Sequence, residues 1–262
     1  MVERRAAVLK YIQARGEVST AQLFSQFSGY APKTIRRDLT HWEQAGAITR
    51  SYGKAWVNRQ YIFQLEAMYP QREEENAAAK EAIAQAAIGL LGEHKSLYID
   101  AGTSTMAFAR KLPQRSFAVL TNAPNIALAI VQSNLHCSVL LTGGGLNPKT
   151  LGCSGYNSTE FIRLMNIDVA IMGASGFGIT NGFVVGESFE ATMKREAIAK
   201  AEKVIVLMDS SKIGVSMPFT FARETDVDIL VCDEIIDSET ENHLRAKGVR
   251  VLKAQTKGMG TP

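Results

Sequence analysis

The sequence predicts an α/β fold in two unequal parts: a small, mostly helical unit at the N-terminus and a larger body on a mainly parallel sheet. Two observations carry this. From Ser96 onward, short apolar runs alternate with helical patterns, as buried parallel strands joined by helices do. Charge divides in the same sense. Residues 1–60 hold ten Lys/Arg against four Asp/Glu, a balance of +6. Residues 61–262 hold the remaining 19 bases and 22 acids, a balance of −3. The overall +3 therefore conceals a basic head on a slightly acidic body, which confines any nucleic-acid contact to the head. An apolar content of 46% over 262 residues is enough for two packed cores and excludes wholesale disorder.

The head reads element by element. Residues 3–15 place Ala7, Val8, Tyr11 and Ile12 on one helical stripe, and Gly16 stops that helix. Val18-Ser-Thr20 is a short extended piece in which Ser19 or Thr20 caps a second helix over 21–27. Ser28-Gly-Tyr-Ala-Pro32 is a turn. Pro32 suits the first position of a third helix, where no backbone donor is missed. That helix runs over 33–45, with Ile35, Leu39 and Trp42 inward and Thr34, Arg36 and Arg37 largely outward. After Gly46, strands at 47–50 and 55–57 flank a turn at 51–54 and make a wing. A helix-turn-helix with a wing presents its third helix to a DNA groove. Lys33, Thr34, Arg36 and Arg37 are the candidates for groove contacts, and Arg50 and Lys54 for backbone phosphates. The head spans residues 1–57.

Residues 58–75 form the junction, marked by Pro70 and the charged run Arg72-Glu-Glu-Glu75. Segment 74–91 reads as an alanine-rich helix with Ala79, Ile83, Ala86, Ala87 and Leu90 on one face and acids at its start, favourable for its dipole. Strands follow at 96–99, 118–120, 138–141, 169–172, 204–207, 229–231 and 249–252. Helical patterns lie at 104–111, 123–133, 158–165, 188–201 and 238–247. The body spans 76–252, and 253–262 reads as a disordered tail.

Ligands of parallel sheets sit at the carboxyl ends of the strands. Five polar motifs occupy that position: Asp100-Ala-Gly-Thr-Ser-Thr105, Thr121-Asn122, Thr142-Gly-Gly-Gly145, Gly173-Ala-Ser-Gly176 and Asp209-Ser-Ser-Lys212. Singly each is ordinary turn chemistry. Their recurrence on successive strands predicts one polar cleft, in which glycines, hydroxyls and helix N–H groups hold a phosphate. Lys194 either contacts phosphate or pairs with Glu190, four residues earlier, on a solvent-facing helix. Asp209 either reads a ligand or braces its turn.

Cys137, Cys153 and Cys232 are scattered and form no C-x-x-C or Cys/His cluster, so no metal site is expected and reduced thiols in the cytoplasm are the simple reading. Met-Val-Glu-Arg-Arg lacks the apolar run of a signal peptide, and no stretch suits a membrane span. There is no G-x-x-x-x-G-K-[ST] loop, and Gly173-Ala-Ser-Gly-Phe-Gly178 fits the dinucleotide fingerprint only loosely, so no cofactor is expected.

Thr34-Ile-Arg-Arg-Asp-Leu39, preceded by Val18-Ser-Thr-Ala-Gln-Leu23 and followed by Glu43-Gln-Ala-Gly46, resembles the DeoR family of bacterial transcription regulators. Ala31-Pro32 replaces the family's usual Val-Ser before the recognition helix, and Tyr52-Gly-Lys-Ala55 its usual His-Gly-Gly-Ala. The post-strand motifs resemble that family's sensor domain, which is similar in fold to ribose-5-phosphate isomerase. The resemblance implies that Asp100, Gly102, Thr103, Ser104 and Thr105 form a phosphate loop. It implies further loops at Thr121 and Asn122 and at Gly143 and Gly144, an acid–lysine pair in Glu190 and Lys194, and an Asp-x-Ser-Lys loop in Asp209 and Lys212. Ser175 stands where the family commonly carries an acid, which bears on the sugar hydroxyls read there.

The resulting expectation is a repressor of a carbohydrate-utilisation operon. It binds double-stranded operator DNA as a homodimer or homotetramer and is switched by a phosphorylated sugar. The alternative is a sugar-phosphate isomerase carrying a DNA-binding head, with Asp100, Glu187 or Glu190 as the base. The residues show no convincing acid–base pair for that reaction.

Overall fold

A computed structural model describes residues 2–44, 47–57 and 68–256. The head is α1 (Val2–Arg15), β1 (Glu17–Ser19), α2 (Thr20–Gln26), α3 (Pro32–Gln44), β2 (Ile48–Ser51) and β3 (Lys54–Val57). Gly16 takes a left-handed φ of 72° and ends α1. Ser19 caps α2 through a reciprocal box: its Oγ accepts from Gln22 N at 3.2 Å, and Gln22 Oε1 accepts from Ser19 N at 2.8 Å. Val8, Ile12, Val18, Leu23, Ile35, Leu39, Ile48 and Ala55 form the core. The wing turns at Tyr52 and Gly53, both left-handed (φ 46° and 76°), as a two-residue hairpin requires. β1 and β2 flank β3 antiparallel, and Thr20 ties to the wing tip through Gly53 O. Ala45 and Gly46, the expected end of the third helix, lie outside the described residues.

Asp38 escaped the apolar stripe read from the sequence, yet it is fully buried. It accepts from Arg4 (Nε 2.6 Å) and Arg5 (Nε 3.1 Å), and Trp42 Nε1 beside it donates to Arg5 O at 2.8 Å. Two bases of the formally basic head are thereby turned onto its own core.

The body opens with α4 (Tyr69–Glu74) and α5 (Ala77–Ile88). The single helix expected over 74–91 is broken at Asn76, which is left-handed (φ 53°). The acidic run therefore belongs to α4 and its C-terminal turn; the first turn of α5 holds no acid. Then follow β4 (Ser96–Ile99), α6 (Thr103–Ala109), β5 (Ala118–Thr121), α7 (Pro124–Ser133), β6 (Ser138–Leu141), β7 (Gly145–Leu146), β8 (Cys153–Ser154), α8 (Tyr156–Arg163) and β9 (Ile167–Gly173). The chain continues with β10 (Gly176–Gly178), β11 (Gly182–Val185), α9 (Ser188–Lys200), β12 (Ala201–Leu207), β13 (Phe219–Ala222), β14 (Ile229–Asp233), α10 (Ser238–Ala246) and β15 (Arg250–Ala254). Of the expected tail, residues 253 and 254 belong to β15, and 257–262 lie outside the described residues.

Seven parallel strands make the main sheet in the order β15-β14-β12-β9-β4-β5-β6. Alternate residues enter opposite cores. Leu97, Ile99, Val169, Ile171, Ile205 and Leu207 pack under α5, α6 and α7. Tyr98, Ala170, Met172, Val204 and Val206 pack under α8 and α9. The result is a three-layer α/β/α sandwich. A small antiparallel sheet, β10-β11-β13, which the sequence did not disclose, covers part of the second face. Strand order reverses between β4 and β9, which opens a crevice at their carboxyl ends. Among the described residues, no helix is long and apolar enough to cross a membrane, and all three cysteines are free thiols.

Candidate functional sites

A cleft opens at that crevice. Its walls include eight of the sequence-predicted residues: Gly102, Thr103 and Ser104 after β4, Ser175 after β9, Glu190 and Lys194 on α9, and Asp209 and Lys212 after β12.

Beneath the floor, Lys194 is buried to 1% exposure and is not on a solvent face. Its ammonium donates to Asp100 Oδ2 and to Gly173 O (3.1 Å), with Glu190 Oε1 at 3.5 Å. Burial alone would push the ammonium down, but Asp100 and Glu190 outweigh it and hold Lys194 above the usual lysine value. Asp100, also fully buried, accepts from Gly173 N at 3.0 Å as well. The pair thus joins the loops after β4 and β9 to α9, and Asp100 lies behind the wall rather than on it.

Five predicted residues brace the cleft without lining it. Thr105 Oγ1 donates back to Gly102 O at 3.0 Å. Thr121 Oγ1 accepts from Ala123 N at 3.1 Å. Asn122 accepts from Ala101 N (2.9 Å) and donates to Cys153 O (3.2 Å), fixing the β4 loop against β8. Gly144 serves a close backbone approach, since a Cβ there would stand 2.6 Å from Ser154 O, and Gly143 takes a left-handed φ of 71°. Asp209 braces its turn. Its Oδ1 accepts from Ser211 N (3.2 Å), which caps the turn, and it also lines the cleft.

Three polar wall residues escaped the sequence reading: Arg72 on α4, Lys80 on α5 and Thr150. Lys80 left a signal. It stands three, four and seven residues before Ile83, Ala84 and Ala87, on the buried stripe of α5, where a lysine has no packing reason to be. Arg72, Lys80 and Lys212 leave this wall more cationic than its acids Asp209 and Glu190 offset, because Lys194 is already matched by Asp100. Among the described residues, no cluster of His, Cys, Asp or Glu is arranged to hold a metal.

On the head, α3 exposes Lys33, Arg36 and Arg37, with Thr34 half-buried beside them. The Arg36 guanidinium lies over an aromatic face, its Cζ 5.3 Å from the Phe24 ring centre, which limits its wandering. Arg50 and Lys54 are not free in the same way. Arg50 Nε donates to Glu43 at 2.9 Å, and Lys54 pairs with Glu17 at 2.6 Å.

The family described as DeoR C terminal sensor domain matches residues 75–234, and the family described as DeoR-like helix-turn-helix domain matches 4–61. An HTH-type transcriptional regulator, GlpR, of Haloferax volcanii is 32% identical over 255 residues, covering 95% of this chain and 96% of its own. A putative aga operon transcriptional repressor of Escherichia coli O157:H7 is 27% identical, covering 95% and 93%. A ribose 5-phosphate isomerase from Methanocaldococcus jannaschii overlays 51% of this chain and 53% of its own at 17% identity and a TM-score of 0.37.

Proposed function

Since the chain belongs to the DeoR family of transcription regulators, we propose that it represses a carbohydrate-utilisation operon in the cytoplasm and is switched by a phosphorylated sugar bound in the body. The observation that carries the effector reading is the cleft at the β4/β9 crossover. Arg72, Lys80 and Lys212 line it together with the N–H-rich turn Gly102-Thr103-Ser104. The cations and turn suit a phosphate, while Ser175, Glu190 and Asp209 suit sugar hydroxyls. Turnover finds no support in the geometry. Asp100 is locked between Lys194 and Gly173 N, Glu190 is paired with Lys194, and Glu187 stands at the N-cap position of α9 outside the cleft lining.

A thermal-shift panel of sugar phosphates against their unphosphorylated parents tests this. A phosphorylated sugar at 100 times its dissociation constant should stabilise the protein by about 2.7 kcal/mol. Equal stabilisation by the parent sugar would refute a phosphate site.

Double-stranded operator DNA is read by α3, with Lys33, Thr34, Arg36 and Arg37 toward the groove and Arg50 and Lys54 of the wing toward the backbone. One head touches too few bases for operator specificity, so a homodimer or homotetramer is the working unit. Arg36→Ala and Arg37→Ala should each weaken operator binding, by about 1–3 kcal/mol where the arginine reads a guanine. Effector-induced stabilisation should be untouched. Fluorescence anisotropy on an operator duplex measures this, and unchanged affinity in both variants would remove α3 as the reader.

A further inference from the structure

Lys80 is 5% exposed, and its ammonium donates to two backbone carbonyls, Arg72 O and Glu75 O, at the C-terminal end of α4. Those carbonyls lack helical partners, so a cation is well placed there. Among the described residues no carboxylate lies within ion-pair distance of Lys80, a rare state for a buried lysine. Burial pushes its ammonium below the usual lysine value, with Lys212 and Arg72 adding to the effect against Asp209. An ammonium has three donors. Two are engaged by α4, and the side chain also lines the cleft. Asn76, between α4 and α5, makes a second tie, donating from Nδ2 to Asp209 Oδ1 (3.0 Å) and Ser211 Oγ (3.1 Å).

We propose that Lys80 bridges effector phosphate to the segment by which the chain enters the body, its third proton going to a phosphate oxygen while the other two clamp the end of α4. This rests on the phosphate-site reading above. An anion at Lys80 supplies the missing countercharge, strengthens the ammonium's grip on Arg72 O and Glu75 O, and stiffens residues 69–76. These are among the first described residues after the head, so occupancy of the cleft becomes a change in the connection to the DNA-binding unit.

Amide hydrogen exchange on the full chain, with and without inorganic phosphate, separates the two claims. Exchange at 102–105 reports whether phosphate is bound. Exchange at Arg72 and Glu75, whose amides donate to Met68 O (3.1 Å) and Gln71 O (3.0 Å), reports the bridge. In the wild type phosphate should slow both regions several-fold. In Lys80→Gln or Lys80→Met, residues 69–76 should exchange faster at rest and lose the response, while 102–105 keeps part of its protection at higher phosphate. Protection at 102–105 with 69–76 unmoved in the wild type would overturn the bridge and leave the phosphate site standing. Phosphate without effect on either region would overturn both. The wild-type comparison decides even if a variant fails to fold.

Discussion

Lys194→Ala should cost the protein about 3–5 kcal/mol of stability, the range for removing one partner of a buried ion pair. Asp100 would be left fully buried beside Gly173 N with no cation to answer it, and the space vacated on α9 would not refill with polar atoms. Chemical denaturation followed by circular dichroism measures the loss. A cycle of Lys194→Met, Asp100→Asn and the double variant isolates the coupling. The double variant should be less damaged than the sum of the singles, since neither remaining group is a stranded charge. A Lys194→Ala protein with wild-type stability would show that the pair is not closed in solution.

Asp38→Ala should destabilise the head by about 2 kcal/mol, below the full cost of breaking a buried pair because Arg4 and Arg5 retain some access to water. That is a large fraction of what so small a unit possesses. The same contact sets an acid limit. Burial would push the Asp38 carboxyl up, but hydrogen bonds from Arg4 and Arg5 outweigh it and hold it below the usual carboxylate range. Its folded value therefore lies under its unfolded value of about 3.9. The stabilisation is complete above that unfolded value and is lost as pH falls through the folded one. Both tryptophans, Trp42 and Trp56, belong to the head, so their fluorescence reports this unit alone. The wild-type signal should hold to about pH 4 and collapse below it, and Asp38→Ala should lower the melting temperature at neutral pH while flattening the acid dependence. An identical acid profile in the variant would dismiss the Asp38 account.

The architecture was largely legible because its signals are local. All seven strands of the main sheet were visible as apolar runs, and the helices as stripes between them. What the sequence hid depends on contacts distant in the chain. Asp38 was masked because its partners stand more than thirty residues earlier. The sheet β10-β11-β13 was masked because glycine-rich strands carry little periodicity. At the cleft, strand-end motifs supplied eight of the lining residues, yet Thr105, Thr121, Asn122 and both loop glycines lie outside the lining. Such residues and ligand-facing ones share the same turn chemistry. Arg72 and Lys80 went unread because they come from helices before the first strand, where the strand-end rule does not look.

The internal pairing of the head also bears on how it competes with electrolyte. Arg4 and Arg5 are held by Asp38, Arg50 by Glu43 and Lys54 by Glu17. Among the described residues of α3, Lys33, Arg36 and Arg37 carry charge with no such partner. A cation already matched by a carboxylate displaces no condensed ion when it reaches DNA unless that match breaks first. Each phosphate truly neutralised steepens the fall of log affinity with log salt by about 0.9. Operator binding per head should therefore follow the three bases of α3, a gentler dependence on ionic strength than the head's formal charge suggests.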